Sequence, residues 1–276
     1  MIPQPHCNIV TFYQAYRTTN NVYLFLELCD QGDLNQFIKK RNSSNFKLSE
    51  CEAKYILRDV VRGLRHLSKV CKIMHRDIKL DNILVKQKLG GMGDFSERKI
   101  SDFEFKLGDL GLAKSILSEK DLQTTVCGTP LYMAPEVIGG GLYNSKADVW
   151  SLGTLLFQML TGEYPFFGKD LSELKQNVKL GVYKIPKEVQ VSFECIDFLN
   201  SCLKFDQSKR KNWDQLLAHP FLLDVKMHKV NSKTGLMQTV RMDTKSSVNF
   251  YEAYSKCLIE TIEKRIEKQL SKTPIK

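Results

Sequence analysis

His75-Arg76-Asp77-Ile78-Lys79-Leu80-Asp81-Asn82 is the stretch on which the reading of this 276-residue chain turns. Two carboxylates, an amide, an Arg and a Lys fall within eight positions. Upstream, Ser49 and Glu52 have capping-box spacing, in which each side chain satisfies the other's free amide. Ala53, Ile56, Leu57, Val60, Leu64 and Leu67 then keep a 3.6-residue period, so a long helix is predicted from Ser49 onward. Downstream, Ile83 to Val85 reads as a short strand, as do Ile73-Met74 and Phe105 to Leu107. A polar stretch between a helix and a strand is a turn by default, and Asp77 and Asn82 alone would fit that description.

The surrounding order of blocks argues for more. Asp109-Leu110-Gly111 follows the strand ending at Leu107, and Gly128-Thr129-Pro130-Leu131-Tyr132-Met133-Ala134-Pro135-Glu136 comes next. Asp148-Val149-Trp150-Ser151-Leu152-Gly153 then opens an apolar run to Leu160 that reads as a buried core helix, with Ser145 and Asp148 repeating the capping spacing. Each fixed position reduces chance matches by roughly twentyfold on average residue usage. In this order the blocks resemble the protein kinase family: the H-R-D-x-K-x-x-N catalytic loop, the place of D-F-G, the end of the activation segment and the central core helix. The resemblance covers about Pro5 to Asp224. It implies an α+β kinase-like fold, with a remnant N-lobe hairpin over 1–28 and the hinge and mainly helical C-lobe over 29–224.

The implied activity is transfer of the ATP γ-phosphate to protein hydroxyls with Mg²⁺. Phosphoryl transfer has a loose transition state, so the protein's work is to hold phosphates in line and spread their charge. On the resemblance, Asp77 orients and accepts the proton of the substrate hydroxyl, Lys79 touches the transferred phosphate, and Asn82 and Asp109 hold Mg²⁺, a hard cation suited to oxygen ligands. Arg76 is expected to pair with a phosphate on Thr125 of the activation segment. Lys79 and the Thr129 of Gly-Thr-Pro resemble the serine/threonine branch. Leu26-Glu27-Leu28-Cys29-Asp30-Gln31-Gly32-Asp33-Leu34 resembles the hinge: Leu26 as gatekeeper, the backbone of Glu27 and Cys29 on adenine, Asp33 on ribose, and Leu84 as the floor. Glu136 and Arg210 match the family's buried ion pair, which with Asp148 is expected to be structural. The hinge and the segment ending in Ala-Pro-Glu look most like the autophagy-initiating kinases.

A complete kinase begins with a Gly-rich strand pair, a strand-borne Lys and a helix Glu, and none of these is present here. Pro5-His6-Cys7-Asn8-Ile9-Val10 looks like the segment that follows that helix, and Asn8 to Leu28 alternates around Thr18-Thr19-Asn20-Asn21 as a hairpin, with Val22, Leu24, Leu26 and Leu28 on one face. Removing one charge-stabilising donor commonly loses roughly 10²–10³ in rate, so the chain as given is expected to bind ATP weakly and to be inactive. A truncated gene model or transcript of an active kinase is one explanation, favoured by the intact catalytic residues of the lower lobe. The other is a catalytically dead scaffold that binds protein partners. Gly90-Gly91-Met92-Gly93 lacks the G-x-G-x-x-G spacing and falls in an expected surface-loop insertion over about 86–104.

Composition sets the outer bounds. Hydrophobic residues make up 42% and charged residues 26%, an ordinary globular balance. No run approaches the roughly 18 apolar residues of a bilayer helix, and the N-terminus lacks a signal-peptide pattern, so a cytoplasmic location is expected. Eight scattered cysteines without a C-x-x-C pair argue against zinc and for mostly core-filling thiols. Of the net charge of +10, six units come from 225–276, where eleven Lys or Arg face five Asp or Glu. No nucleic-acid module accompanies that charge. Within this basic tail, Tyr251, Tyr254, Leu258, Ile262, Ile266 and Leu270 predict an amphipathic helix over about 249–271, suited to docking on its own lobe or on a partner.

Overall fold

The chain opens with an antiparallel hairpin, β1 (Phe12–Arg17) and β2 (Val22–Leu26), in register from Phe12↔Leu26 to Arg17↔Val22. The computed structural model describes residues 6–41, 46–88, 95, 98–110, 114–115 (backbone) and 129–223. Alternation predicted these strands, but it did not predict that both faces are open: Val22, Leu24 and Leu26 are exposed on one side, and Tyr23 and Phe25 on the other.

After the hairpin, Cys29 to Asp33 runs along β4 (Ile83–Gln87). Gln31 N donates to Val85 O at 3.0 Å and Val85 N to Gly32 O at 2.8 Å, and Asp33 bridges Leu84. Asp33 then starts α1 (Leu34–Arg41), its Oδ1 accepting from Gln36 N at 2.8 Å. In α2 (Glu50–Arg65) the capping box is formed as predicted, with Ser49 N donating to Glu52 Oε2 at 3.1 Å and Glu52 N to Ser49 Oγ at 3.4 Å. The predicted helix continues past Arg65 as a π-turn, His66–Val70. β3 (Ile73–Met74) pairs with β6 (Lys114–Ser115), and β4 pairs antiparallel with β5 (Phe103–Leu107) from Ile83↔Leu107 to Gln87↔Phe103. Among the described residues the sheets are thus three two-stranded ribbons.

The helical body comprises α3 (Pro135–Ile138), α4 (Lys146–Thr161), α5 (Leu171–Leu180), α6 (Phe193–Cys202) and α7 (Trp213–Leu217). Every residue from Ala147 to Thr161 is buried, so α4 is the axis of the core. α2 and α6 pack against it. Gly153 lets α6 approach, because a Cβ there would lie 2.7 Å from Cys202 Cβ. None of the described helices is long and apolar enough to cross a membrane.

Three expectations need correction. Ser145 makes no side-chain cap, and the Asp148 carboxylate is spent elsewhere. The segment expected as a loop over 86–104 contributes Lys86, Gln87, Phe103 and Glu104 to the β4–β5 ladder, and Phe95 packs on Phe37 and Phe103 with ring centroids 5.5 and 5.8 Å away. Among the described cysteines Cys71, Cys195 and Cys202 are buried, whereas Cys7 and Cys51 are exposed and Cys29 is half-buried, so core filling accounts for half of them. Thr125, the tail over 225–276 and its amphipathic helix lie outside the described residues.

Candidate active site

β3 leads into the His75–Asn82 stretch, which bends sharply. Arg76 has φ 70°, a left-handed conformation that costs a residue other than Gly on the order of 1–3 kcal/mol. The bend is held from beneath. Asp148, buried in the first turn of α4, accepts from His75 N through Oδ2 and from Arg76 N through Oδ1, both at 2.9 Å. Burial pushes the Asp148 carboxyl upward, and the imidazole of His75 and the two amides oppose that push. His75, fully buried, is held by a 3.0 Å contact between Nε2 and Gly108 O, which ties the loop to the end of β5.

Asp77 is the centre of the polar cluster. Asn82 Nδ2 donates to its Oδ2 at 2.8 Å and to its carbonyl at 2.7 Å, while Lys79 Nζ stands 2.9 Å from Oδ2. Oδ1 accepts from Thr129 N and Thr129 Oγ1, both at 3.1 Å, and Lys79 Nζ also reaches Thr129 Oγ1 at 3.1 Å. Burial alone would raise the Asp77 carboxyl, but the bonds from Lys79, Asn82 and Thr129 outweigh it and hold the group below its ordinary range. Asp77 is therefore an ionised acceptor at neutral pH, with both oxygens oriented. Thr129 was singled out in the sequence only as a branch marker; its place in Gly-Thr-Pro was the signal for this contact.

Asn82 and Asp109 come together through backbone, since Gly108 N donates to Asn82 O at 2.9 Å. Asp109 is exposed at φ 45°, a second left-handed residue at this point. Because Asn82 spends its Nδ2 on Asp77, its carbonyl oxygen is the atom suited to a cation. An amide oxygen plus one carboxylate fits Mg²⁺, which takes few protein ligands and completes its shell with phosphate and water.

The segment expected to meet the nucleotide base forms a strip of which the structure lays one part beside Leu84: the bonds of Gln31 and Gly32 to Val85 and the Asp33–Leu84 bridge hold Gln31 to Asp33 along β4. Leu26 is half-exposed at the end of β2. The side chain of Glu27 enters a knot of charges that the sequence did not reveal. Its Oε2 accepts from Thr11 N at 3.1 Å and Thr11 Oγ1 at 2.9 Å, and its Oε1 lies 2.6 Å from Lys86 Nζ and 3.2 Å from Lys106 Nζ. Burial opposes ionisation, yet the Lys86 and Thr11 bonds and the Lys106 charge bring the Glu27 pKa down to about 2.

Arg76 places NH1 3.5 Å from Tyr143 Oη, beside Met133, Val137 and Ala147 in a shallow pocket. Arg210 and Glu136 meet in a bidentate pair at 2.7 Å for both bonds. The remaining three Arg210 donors go to Lys204 O, Lys146 O and Phe205 O, so all five N–H groups are used, and the guanidinium lies 5.2 Å from the Trp150 ring. A buried arginine with every donor satisfied stabilises position and leaves nothing for a ligand.

Comparison with known proteins fits this geometry. A family model described as the protein kinase domain matches residues 2–222. The serine/threonine-protein kinase ATG1a of Arabidopsis thaliana is 34% identical over 220 residues, 79% of this chain and 32% of its own length. The serine/threonine-protein kinase atg1 of Dictyostelium discoideum is 33% identical over 220 residues, 79% of this chain and 30% of its own length. The serine/threonine-protein kinase PLK4 of Drosophila persimilis is 33% identical over 217 residues, 79% of this chain and 26% of its own length. The chain spans between 26% and 56% of the length of such curated relatives.

Proposed function

The chain belongs to the protein kinase domain family, and from that premise we propose that it carries the serine/threonine phosphotransfer site of a larger kinase, acting on protein hydroxyls with Mg-ATP. The observation that carries the reading is the oriented Asp77 carboxylate, bonded by Lys79, Asn82 and Thr129. Residues 29–224 serve as hinge and large lobe, and 1–28 with the hairpin belong to the smaller one. A substrate hydroxyl is oriented at Asp77. As its oxygen bonds to the γ-phosphorus and the bond to ADP breaks, its proton passes to an Asp77 oxygen. The low affinity of Asp77 for protons fits late acceptance, after the nucleophile has begun to bond. Lys79, beside the same oxygens, steadies the transferred group's charge. Asn82 and Asp109 would hold Mg²⁺, which when bound spreads charge over the phosphates. The backbone of Glu27 and Cys29 meets adenine, Asp33 the ribose and Leu84 the ring face, while Arg76 answers a phosphate on Thr125. The expected cytoplasmic location goes with this reading.

An ATG1-like branch goes with the 34% identity to the Arabidopsis kinase, which stands level with 35% to a probable serine/threonine-protein kinase CCRP1 of Zea mays and 33% to the PLK4; a peptide-substrate panel separates the branches. For the central claim, phosphate transfer to protein serine or threonine is measured for the chain completed with a kinase small lobe and for its Asp77→Asn variant, since the 276-residue chain by itself is expected to transfer little or none. Loss of about 10²–10⁴ in rate in the variant, with an unchanged circular dichroism spectrum, is expected. Undiminished transfer would remove Asp77 from the mechanism. Saturable Mg-ATP binding without transfer in the completed, otherwise unaltered chain would favour the scaffold reading.

A further inference from the structure

β5 has two chemically different faces. Phe103, Phe105 and Leu107 point into the core, while the alternate positions are Glu104 and Lys106. A lysine in a strand is ordinarily a solvent residue. Lys106 is instead only 5% exposed, as buried as the phenylalanine side of its strand. Its Nζ donates to Cys7 O at 2.7 Å, stands 3.2 Å from Glu27 Oε1 and lies 3.6 Å from Glu104 Oε2. A buried ammonium costs several kcal/mol of desolvation that an apolar side chain of similar length avoids. Its partners therefore matter for what they tie together.

Through its Nζ contact to Glu27 and its own place in the β4–β5 ladder, Lys106 links three pieces. Glu27 stands in the strip proposed to meet adenine. Leu84, the proposed floor of that strip, is the cross-strand neighbour of Lys106 on β4. Asp109, proposed to hold the metal, is three residues further along the same backbone. The contact to Cys7 O adds a fourth tether, and the segment it belongs to is itself clamped to β5 by Leu107 N donating to Asn8 O at 2.9 Å. Lys86 reaches the same Glu27 oxygen more closely, at 2.6 Å, but from the rim, with 39% of its side chain exposed. It neutralises Glu27 without joining it to β5, the strand that leads to Asp109.

Resting on the kinase reading above, we propose that Lys106 is a positioning residue for the nucleotide, a buried strut that fixes the spacing between the adenine strip and the metal-holding end of β5. The ligand met across that spacing is a nucleoside triphosphate with its cation, gripped at both ends. A misplacement of about 1 Å between two such contacts is enough to cost up to 10²-fold in a positioned complex.

The test is a titration of Mg-ATP into the full 276-residue chain, followed by NMR so that dissociation constants into the millimolar range are read and the bound fraction is obtained separately. Lys106→Met is expected to raise Kd by about tenfold, or 1.4 kcal/mol, with the fraction of binding-competent molecules unchanged. Lys106→Arg is expected to recover at least half of that loss on a logarithmic scale, and Lys86→Met to stay within about twofold of the parent. A merely structural lysine would lower the competent fraction and leave Kd alone, and that result overturns the proposal. Equal effects of Lys86→Met and Lys106→Met also overturn it, because neutralising Glu27 would then suffice. Unchanged Kd in Lys106→Met, with measurable affinity in the parent, defeats the strut and leaves the kinase reading standing. No saturable nucleotide affinity in the parent defeats both. Should Lys106→Met fail to fold, Glu27→Gln, which keeps the Lys106 bond to Cys7 O, is compared with Lys86→Met: weakening confined to Glu27→Gln is expected, and equal Kd values in the two overturn the proposal.

Discussion

At Asp148 one carboxylate decides the direction of two neighbouring peptide planes. Both of its oxygens accept main-chain N–H groups, from His75 and Arg76, and the second of these residues is held at φ 70°. An asparagine at 148 keeps the shape but replaces one acceptor with a donor that faces an amide N–H. The cost is that of a buried unsatisfied pair plus the strain no longer compensated, about 2–4 kcal/mol. Asp148→Asn is thus expected to lower Tm by roughly 10 °C and, in a chain completed with the small lobe, to reduce the proposed phosphate transfer by moving Asp77, one residue further along. Unaltered Tm would mean that the bend is set by the packing of His75 alone. The same residue marks where local reasoning stops. Its spacing from Ser145 matched a capping box, and nothing within a few residues betrayed that its partners lie 72 and 73 positions away.

The elements show the same division between local and long-range information. The start of α2 was legible because Ser49 and Glu52 solve their own hydrogen-bonding problem within one turn. Its end was not, since the π-turn over His66–Val70 continues the same apolar period and differs only in backbone bonding. The catalytic-loop cluster was legible through His75 to Asn82, yet the knot at Glu27 was not, because a lysine such as Lys106 in an alternating strand signals solvent. The last turn of α2 carries a further constraint. A Cβ on Gly63 would lie 2.7 Å from Asn8 O and 2.8 Å from Leu107 Cδ1. Leu107 can turn, but Asn8 O is main chain and already accepts from Leu107 N. Alanine would gain about 1 kcal/mol of helix propensity against about 1–3 kcal/mol of overpacking, and the immobile carbonyl makes the second term larger. Gly63→Ala should therefore destabilise the chain by about 1 kcal/mol in urea unfolding, and a stabilised variant would show that the Asn8 segment yields freely.

For the whole molecule, the buried ionisable groups fix how stability responds to acid. His6 and His66 lie against each other with ring centroids 4.6 Å apart and planes tilted by 36°. Burial, then the neighbouring positive charges, brings His6 down to about 3, and burial with Arg65 brings His66 down to about 4. His219 is lowered as well, chiefly by burial. Each is neutral in the native chain, so below the ordinary histidine value of 6.5 the unfolded chain binds protons that the native chain refuses. Stability must then fall with pH from about 6.5 downward and continue to fall until the native imidazoles titrate. Glu27 acts in a lower window of the same sign: its contribution is complete above 4.5 and is lost as pH falls toward about 2. Asp59 and Asp148, both raised by burial, work in the opposite direction, taking up protons in the native chain first. Their ordinary value is 3.8, so they oppose the three histidines from that value up to their native ones, two groups against three. Urea midpoints at pH 7, 5.5 and 4 should consequently decline from the first step, by several kcal/mol in total, with most of the change between 6.5 and 4. A midpoint flat from pH 7 to 5 and falling only below 4.5 would show that the histidine pair protonates in place, and that carboxylates such as Glu27 alone set the acid limit.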